Sequence, residues 1–159
     1  TDDERMEDVV GALLREREKS IAVYEDLTAG MVAQGIQTAD PGSFAEGIIG
    51  SGIGAVDRLL ADIQQRGLAN GGAEALAGEL AKAVREHTGA TLGLAVHCVA
   101  DPSDTAENLA AGHTYMSITD GERARARTYN FAGRGRPDRT RLSLNALELV
   151  RRTLMEGFG

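Results

Sequence analysis

The chain is poor in cysteine, in aromatic residues and in long apolar runs. It has one Cys, three Tyr, three Phe and no Trp among 159 residues. A single cysteine excludes a disulfide framework within the chain. No apolar run approaches the roughly 18 residues of a membrane span, and the first residues are acidic where a secretory signal is basic. We therefore expect a cytoplasmic protein that has no membrane partner.

Positive charge is also scarce, because 17 Lys and Arg face 24 Asp and Glu and the net charge is −7. An acidic chain is a poor match for the phosphates of nucleic acid, so we expect no nucleic-acid partner. His87 and His113 show no metal-ligand spacing with any other residue, and we expect neither a metal nor a cofactor. The hydrophobic fraction of 42% can fill a core. At this length we expect one domain over residues 1–159.

The charge is distributed unevenly along the chain. Residues 121–152 carry only three acidic residues and a balance of +6, which leaves −13 for the rest. The nine arginines of this segment are Arg123, Arg125, Arg127, Arg134, Arg136, Arg139, Arg141, Arg151 and Arg152. A solvated face is one interpretation. The alternatives are attraction of a phosphate-bearing small molecule or of an acidic surface on a sister subunit, which favours a homo-oligomer.

Hydrophobic spacing and turn residues predict alternating helices and strands, and so the α/β class with a mixed sheet. A capping box at Thr1 and Glu4 predicts a first helix that ends near Lys19. Asp120-Gly121 predicts a hairpin, and the alternating arginines after it share one strand face. The remaining predicted elements are strands at 21–24, 48–49 and 91–96 and helices beginning near 31, over 53–63, ending before Gly89 and over 142–154.

Two of the predicted strands end in segments that could form a site. Glu25–Gly30 follows the first strand, and its small residues could open a helix whose backbone N–H groups cradle an anion. His97–Asp101 follows the later strand. Ligands of open α/β sheets bind at the carboxyl ends of strands, so we expect these two segments to form a pocket.

The order and spacing of several motifs are similar to those of a known family. Tyr24–Gly30 resembles A-E-S-C-T-G-G, Pro41–Ser43 matches P-G-S, and Arg58–Leu60 matches R-L-L. Gly89–Pro102 resembles G-A-D-L-A-L-A-V-T-G-I-A-G-P, and Phe131–Gly133 resembles the start of F-P-G-D-R. The chain thus resembles the CinA C-terminal domain of competence/damage-inducible proteins. That resemblance implies a three-layer α/β/α sandwich, and it implies an origin among enzymes that deamidate nicotinamide mononucleotide.

The chain departs from this family at the positions that the resemblance makes catalytic. Asp26 stands in place of the nucleophilic serine, Ser51 in place of the tyrosine and Val56 in place of the lysine. His97 stands in place of a threonine of the later motif. Amide hydrolysis through a hydroxyl nucleophile needs a base that accepts its proton, and valine cannot act as one. We therefore expect a catalytically degenerate relative of nicotinamide-nucleotide amidohydrolases.

Two other functions remain open, and each depends on different residues. An active amidohydrolase could use Asp26 and His97, whereas Asp26 could also simply cap a helix that begins near Thr28. Cys98 is not expected to join His97, because adjacent strand residues face opposite sides of a sheet. An oligomeric interaction module would use the arginine-rich strand. The candidate ligand-binding residues are Asp26, Thr28, Gly30 and His97, with Arg139 and Arg141 added by the family resemblance.

Overall fold

The structure is a computed structural model that describes residues 5–50, 59, 72–99, 112–132 and 135–159. Ser51, Val56 and Asp101, the capping box at Thr1 and Glu4, and the loop predicted before Gly72 lie outside the described residues. Of the helix predicted over 53–63, only Leu59 is described, and it is helical.

The described chain alternates between helices and strands as the sequence predicts. The helices are α1 (Met6–Glu16), α2 (Met31–Ala39), α3 (Gly72–Thr88) and α4 (Arg136–Glu156), with a 3-10 turn at Pro41–Ser43. The strands are β1 (Ile21–Glu25), β2 (Phe44–Ile49), β3 (Leu92–Val99), β4 (His113–Thr119) and β5 (Ala124–Tyr129). No helix in the described ranges is long and apolar enough to cross a membrane.

The strands form one mixed sheet of order β2-β1-β3-β4-β5. β1 is parallel to both β2 and β3, whereas β3, β4 and β5 follow one another antiparallel. In the β1–β3 register, Ile21 lies opposite Leu92 and Glu25 lies opposite Val96. This register brings the carboxyl ends of β1 and β3 side by side, where α/β sheets place their ligands.

Helices cover both faces of the sheet and confirm the three-layer α/β/α sandwich. α1, α2 and α4 pack on one face, where the side chains of Leu14, Ile36 and Leu142 are fully buried. α3 packs on the other face through Leu80 and Val84. α3 approaches β3 so closely that a Cβ at residue 93 would overlap the Ala81 carbonyl oxygen, which explains the glycine there.

Three predicted boundaries are wrong. α1 begins only at Met6, because Arg5 is extended, and it ends at Glu16, before the left-handed Glu18 at φ 54°. The predicted short buried strand at 48–49 begins at Phe44 and lies at the edge of the described sheet, and its Ile49 is 56% exposed. β3 runs to Val99, so His97 and Cys98 lie inside the strand and not after it.

The predicted hairpin is confirmed between β4 and β5. Gly121 has φ 100°, which a turn of this kind demands, and the Asp120 carboxylate accepts the backbone N–H groups of Glu122 and Arg123. Arg125 and Arg127 share one face of β5, as expected, whereas Arg123 lies just before the strand. That face is turned toward α4 and the C-terminus, because Arg123 lies over the Phe158 ring and Arg125 binds Glu156.

Candidate active site

The turn after β1 and the last residues of β3 bring Asp26 and His97 into direct contact. Asp26 follows Glu25, which lies opposite Val96, so the register places it beside His97. The Asp26 Oδ2 atom lies 2.7 Å from His97 Nδ1 across a sequence separation of 71 residues. With Asp26 as the acceptor, the proton of the neutral imidazole is on Nδ1.

Four hydrogen bonds from described residues hold the Asp26 carboxylate. Oδ1 accepts the backbone N–H of Leu27 at 2.8 Å and that of Cys98 at 2.9 Å. Oδ2 accepts the Tyr24 hydroxyl at 3.4 Å in addition to His97. The side chains of Asp26 and His97 are only 11% and 13% exposed. His97 Nε2 makes no hydrogen bond to the described part of the chain, so the ring is oriented through Nδ1.

Tyr24 supports this pair from the α3 side of the sheet. Burial, and then the adjacent Asp26 carboxylate, raise the pKa of the Tyr24 hydroxyl far above its ordinary value. The phenol therefore remains a hydrogen-bond donor throughout the physiological range. The backbone passes directly over this hydroxyl at residue 50, where a Cβ would overlap it, and only glycine fits.

Glu25 occupies the helix N-terminus that the sequence suggested as an anion cradle. Its fully buried carboxylate accepts the Thr28 hydroxyl at 2.6 Å, Val32 N–H at 3.2 Å and Ala33 N–H at 2.8 Å. The backbone donors that an anion would use are therefore taken by the chain's own carboxylate. The cradle prediction is wrong for this turn, and sequence reasoning missed Glu25. An acidic residue directly after an apolar strand was the available signal.

Asp26 does not cap α2, and this interpretation is also wrong. α2 begins at Met31, after a Gly30 with φ 92° that provides no side-chain cap. Thr28 is fully buried on Glu25, and Gly30 lies against Ile49. Thr28 and Gly30 thus both contribute to the structure of the turn. Their role as ligand contacts stays a prediction.

Cys98 lies on the opposite face of β3 from His97, as expected. It belongs to the core cluster beneath α1, α2 and α4, and it is only 8% exposed. Its Sγ accepts the Thr114 hydroxyl at 3.3 Å. The two adjacent residues therefore do not form a Cys/His pair. No group of three His, Cys, Asp or Glu side chains within the described ranges is placed to hold a metal.

Arg139 and Arg141 lie in the first turns of α4. The Arg141 guanidinium lies 4.8 Å from the centre of the Phe131 ring, and the Arg139 Nε atom is buried with no hydrogen-bond partner. Within the described residues, no contact joins either arginine to Asp26 or His97. Their expected role as phosphate ligands therefore stays a prediction.

Comparison with known proteins gives a family match over almost the whole chain. The model of the CinA C-terminal domain matches residues 3–154. A "CinA-like protein" of Thermotoga sp. (strain RQ2) is 31% identical over 96% of this chain, and another from Geotalea uraniireducens is 32% identical over 97%. The matches cover 38% and 37% of those relatives, so the chain spans under two fifths of their length.

Solved structures show the same fold at lower identity. A CinA superfamily protein from Klebsiella pneumoniae is 18% identical, with a TM-score of 0.78 over 94% of this chain and 96% of that one. A competence/damage-inducible protein from Agrobacterium tumefaciens is 17% identical, with a TM-score of 0.75 over 95% and 96%. At these identities the likeness concerns the arrangement of helices and strands alone.

Proposed function

This chain belongs to the CinA C-terminal domain family, and we propose that it is an amide hydrolase in which Asp26 and His97 replace the family's serine chemistry. The observation that carries the proposal is the 2.7 Å contact between Asp26 Oδ2 and His97 Nδ1. Asp26 and His97 both differ from the residues of the family motifs, and the two side chains contact each other. A carboxylate that orients an imidazole is the arrangement by which hydrolases prepare a general base.

The reaction that fits this pair uses water as the nucleophile. His97 Nε2 accepts a proton from water while the water oxygen attacks the amide carbonyl carbon. The imidazolium then gives that proton to the nitrogen as the C–N bond breaks, so one water and one carboxamide give a carboxylic acid and ammonia. Asp26 stabilises the imidazolium between the two steps and keeps Nδ1 protonated. No covalent bond to residue 26 is needed.

The substrate class follows from the family resemblance. It implies the carboxamide of nicotinamide mononucleotide, or another small carboxamide, as the group that His97 would face. Neither Ser51 nor Val56 reproduces the residue type of the family pattern. A water-based mechanism requires neither a tyrosine nor a lysine at those positions, which is why we favour it over a serine-like route through Asp26.

The test is ammonia release by the purified chain from nicotinamide mononucleotide and from a panel of small carboxamides. We expect turnover that falls about 10²–10⁴-fold in His97→Gln, because general-base catalysis contributes about that factor. Asp26→Asn keeps the shape but loses the orienting charge, and we expect a loss of similar order. Exposed His87, whose Nε2 pairs with Glu46 at 3.1 Å, provides the matched control His87→Gln, which should keep full turnover.

Ammonia release that is unchanged in a folded His97→Gln variant would contradict the proposal. A pH profile adds a second criterion. Turnover that depends on a general base should rise with pH, and this rise should be absent from whatever activity the Gln variant retains.

A catalytically degenerate family member is the second candidate, and one observation favours it. The Asp26 carboxylate accepts hydrogen bonds from β1, from β3 and from its own turn, so the pair could serve only to tie the two strands together. In that case His97→Gln would lower the free energy of unfolding, while no carboxamide would release ammonia with either protein. Activity and stability measured on the same variants therefore separate the two candidates.

An interaction module is the third candidate, through the arginine-rich strand and a homo-oligomer. It has less support, because Arg125 binds Glu156 and the Gly157 carbonyl, both at 3.0 Å, within the same chain. An oligomer held by arginine contacts between subunits should dissociate as salt is raised, which sizing chromatography would measure.

A further inference from the structure

A cleft between β5 and α4 is lined by several side-chain hydrogen-bond donors. We call it the arginine cleft, and it encloses about 320 Å³. Its polar lining residues are Arg127, Tyr129, Asn145, Glu148 and Arg152, with the buried Leu149 at its base. It lies at the β5 edge of the sheet, and β3 and β4 separate it from β1 and Asp26.

The donors of the cleft outnumber its acceptors. Among the described residues, the side chain of Arg127 makes a single hydrogen bond, from Nη1 to the carbonyl of Ala126 at 2.9 Å. Within the described residues, neither the Tyr129 hydroxyl nor the Asn145 side chain has a hydrogen-bond partner. Burial raises the pKa of Tyr129, so its hydroxyl is protonated and can donate.

The only carboxylate of the lining is already occupied. Glu148 Oε1 accepts Arg151 Nη2 at 2.7 Å and Arg152 Nε at 2.9 Å, while Oε2 accepts Arg151 Nε at 2.8 Å. Arg152 bonds through Nε alone, which leaves its two Nη groups without a bond in the described structure. Among the lining residues, Arg127 and Arg152 against Glu148 leave a charge of +1.

We propose that the arginine cleft binds the phosphate group of a small molecule. A phosphate group offers several acceptor oxygens and up to two negative charges, which matches the free donors of Arg127, Arg152, Tyr129 and Asn145. The volume suits a small ligand and not an extended chain. This site is independent of the proposed hydrolase activity, because none of its residues contributes to the Asp26–His97 pair.

The experiment is calorimetric titration of the folded chain with inorganic phosphate and with ribose 5-phosphate, at constant ionic strength. We expect saturable binding, weakened about tenfold or more by Arg127→Gln, because a charge-assisted hydrogen bond is worth about that factor. Tyr129→Phe should weaken binding several-fold. Arg5→Gln removes the same charge from a side chain that is 77% exposed beside α1, and it should leave binding unchanged.

Comparison of the two ligands shows whether the natural ligand is a phosphate ester or free phosphate. Tighter binding of the sugar phosphate supports a phosphate ester as the natural ligand, and equal binding supports free phosphate at the same site. Equal losses in Arg127→Gln and Arg5→Gln would overturn the proposal, because they would show a general effect of net charge. Absence of saturable binding by either ligand would overturn it as well.

Discussion

The turn after β1 and the arginine cleft both combine carboxylates with hydrogen-bond donors. In the turn the donors are matched by carboxylate oxygens, whereas in the cleft the donors are in excess. Glu25 and Asp26, which we call the acidic turn, accept seven hydrogen bonds between them, mostly from backbone N–H groups and buried side chains. In the arginine cleft one carboxylate faces an excess of donors. The acidic turn is internally complete and fixes geometry, whereas the cleft retains capacity for an external anion.

The largest loss in the free energy of unfolding should come from removing the Glu25 carboxylate from the acidic turn. Glu25→Ala leaves the Thr28 hydroxyl and two backbone N–H groups of α2 buried without partners. We expect a loss of about 3–5 kcal/mol in the free energy of unfolding, because each unsatisfied buried group costs about 1–3 kcal/mol. Urea denaturation measures it. Glu16→Ala, at a side chain that is 74% exposed, is the control and should change stability by less than about 0.5 kcal/mol.

A loss near the control value would show that water or another group replaces Glu25 at the start of α2. The turn would then not be internally complete, and its contrast with the cleft would fail.

A smaller loss in the free energy of unfolding should follow from removing the Glu148 carboxylate of the cleft. The hydrogen bonds from Arg151, and then those from Arg152, lower the pKa of Glu148 from its usual 4.5 to about 2. A lowered pKa stabilises the fold above the unfolded value, and this contribution is lost as pH falls from about 4.5 toward 2. We expect Glu148→Gln to cost about 1–2 kcal/mol at pH 7, after allowance for solvent screening, and less at pH 3.5.

Denaturation of both proteins at the two pH values measures this difference, and phosphate titration of the same variant gives it a second readout. Loss of the negative charge should strengthen phosphate binding several-fold, since it removes repulsion and frees Arg152. A variant that is less stable yet binds phosphate no better would place the anion elsewhere.

The smallest effect should come from removing one weak donor from the acidic turn. Tyr24→Phe deletes a hydroxyl that lies 3.4 Å from Asp26 Oδ2, while three closer donors remain. We expect a loss of about 0.5–1 kcal/mol, because a long hydrogen bond contributes little. Thermal unfolding alongside Tyr115→Phe, whose ring stacks near His113, provides the comparison. A loss as large as that of Glu25→Ala would mean that Tyr24 is a principal support of the Asp26–His97 pair.

The sequence motifs singled out both members of the Asp26–His97 pair, but they could not show that the two touch. Their contact depends on the parallel register of β1 and β3, in which Glu25 meets Val96. The sequence misplaced His97 after the strand, because periodicity does not reveal where a strand ends when polar residues continue it. The sequence also could not show which of the two adjacent acids, Glu25 or Asp26, accepts the backbone N–H groups at the start of α2. In the structure Glu25 does so.

The arginine-rich segment was easier to predict in outline than in detail. Alternation correctly placed Arg125 and Arg127 on one face of a hairpin strand, but that strand begins at Ala124, so Arg123 lies before it. The charge pattern could not show that Arg125 is used inside the chain while Arg127 borders a cleft. That difference arises from α4, which crosses the same face with Glu148 and ends near Glu156.

By itself, the sequence determined the α/β class, the order of most elements and the family, because local periodicity, turn residues and motif spacing are properties of neighbouring positions. Cysteine scarcity and the lack of long apolar runs bounded the class of protein for the same reason. Only the tertiary structure decided which charges meet. The Asp26–His97 contact and the arginine cleft each join residues from separate elements, and hydrogen bonds form only where packing brings donor and acceptor within about 3 Å.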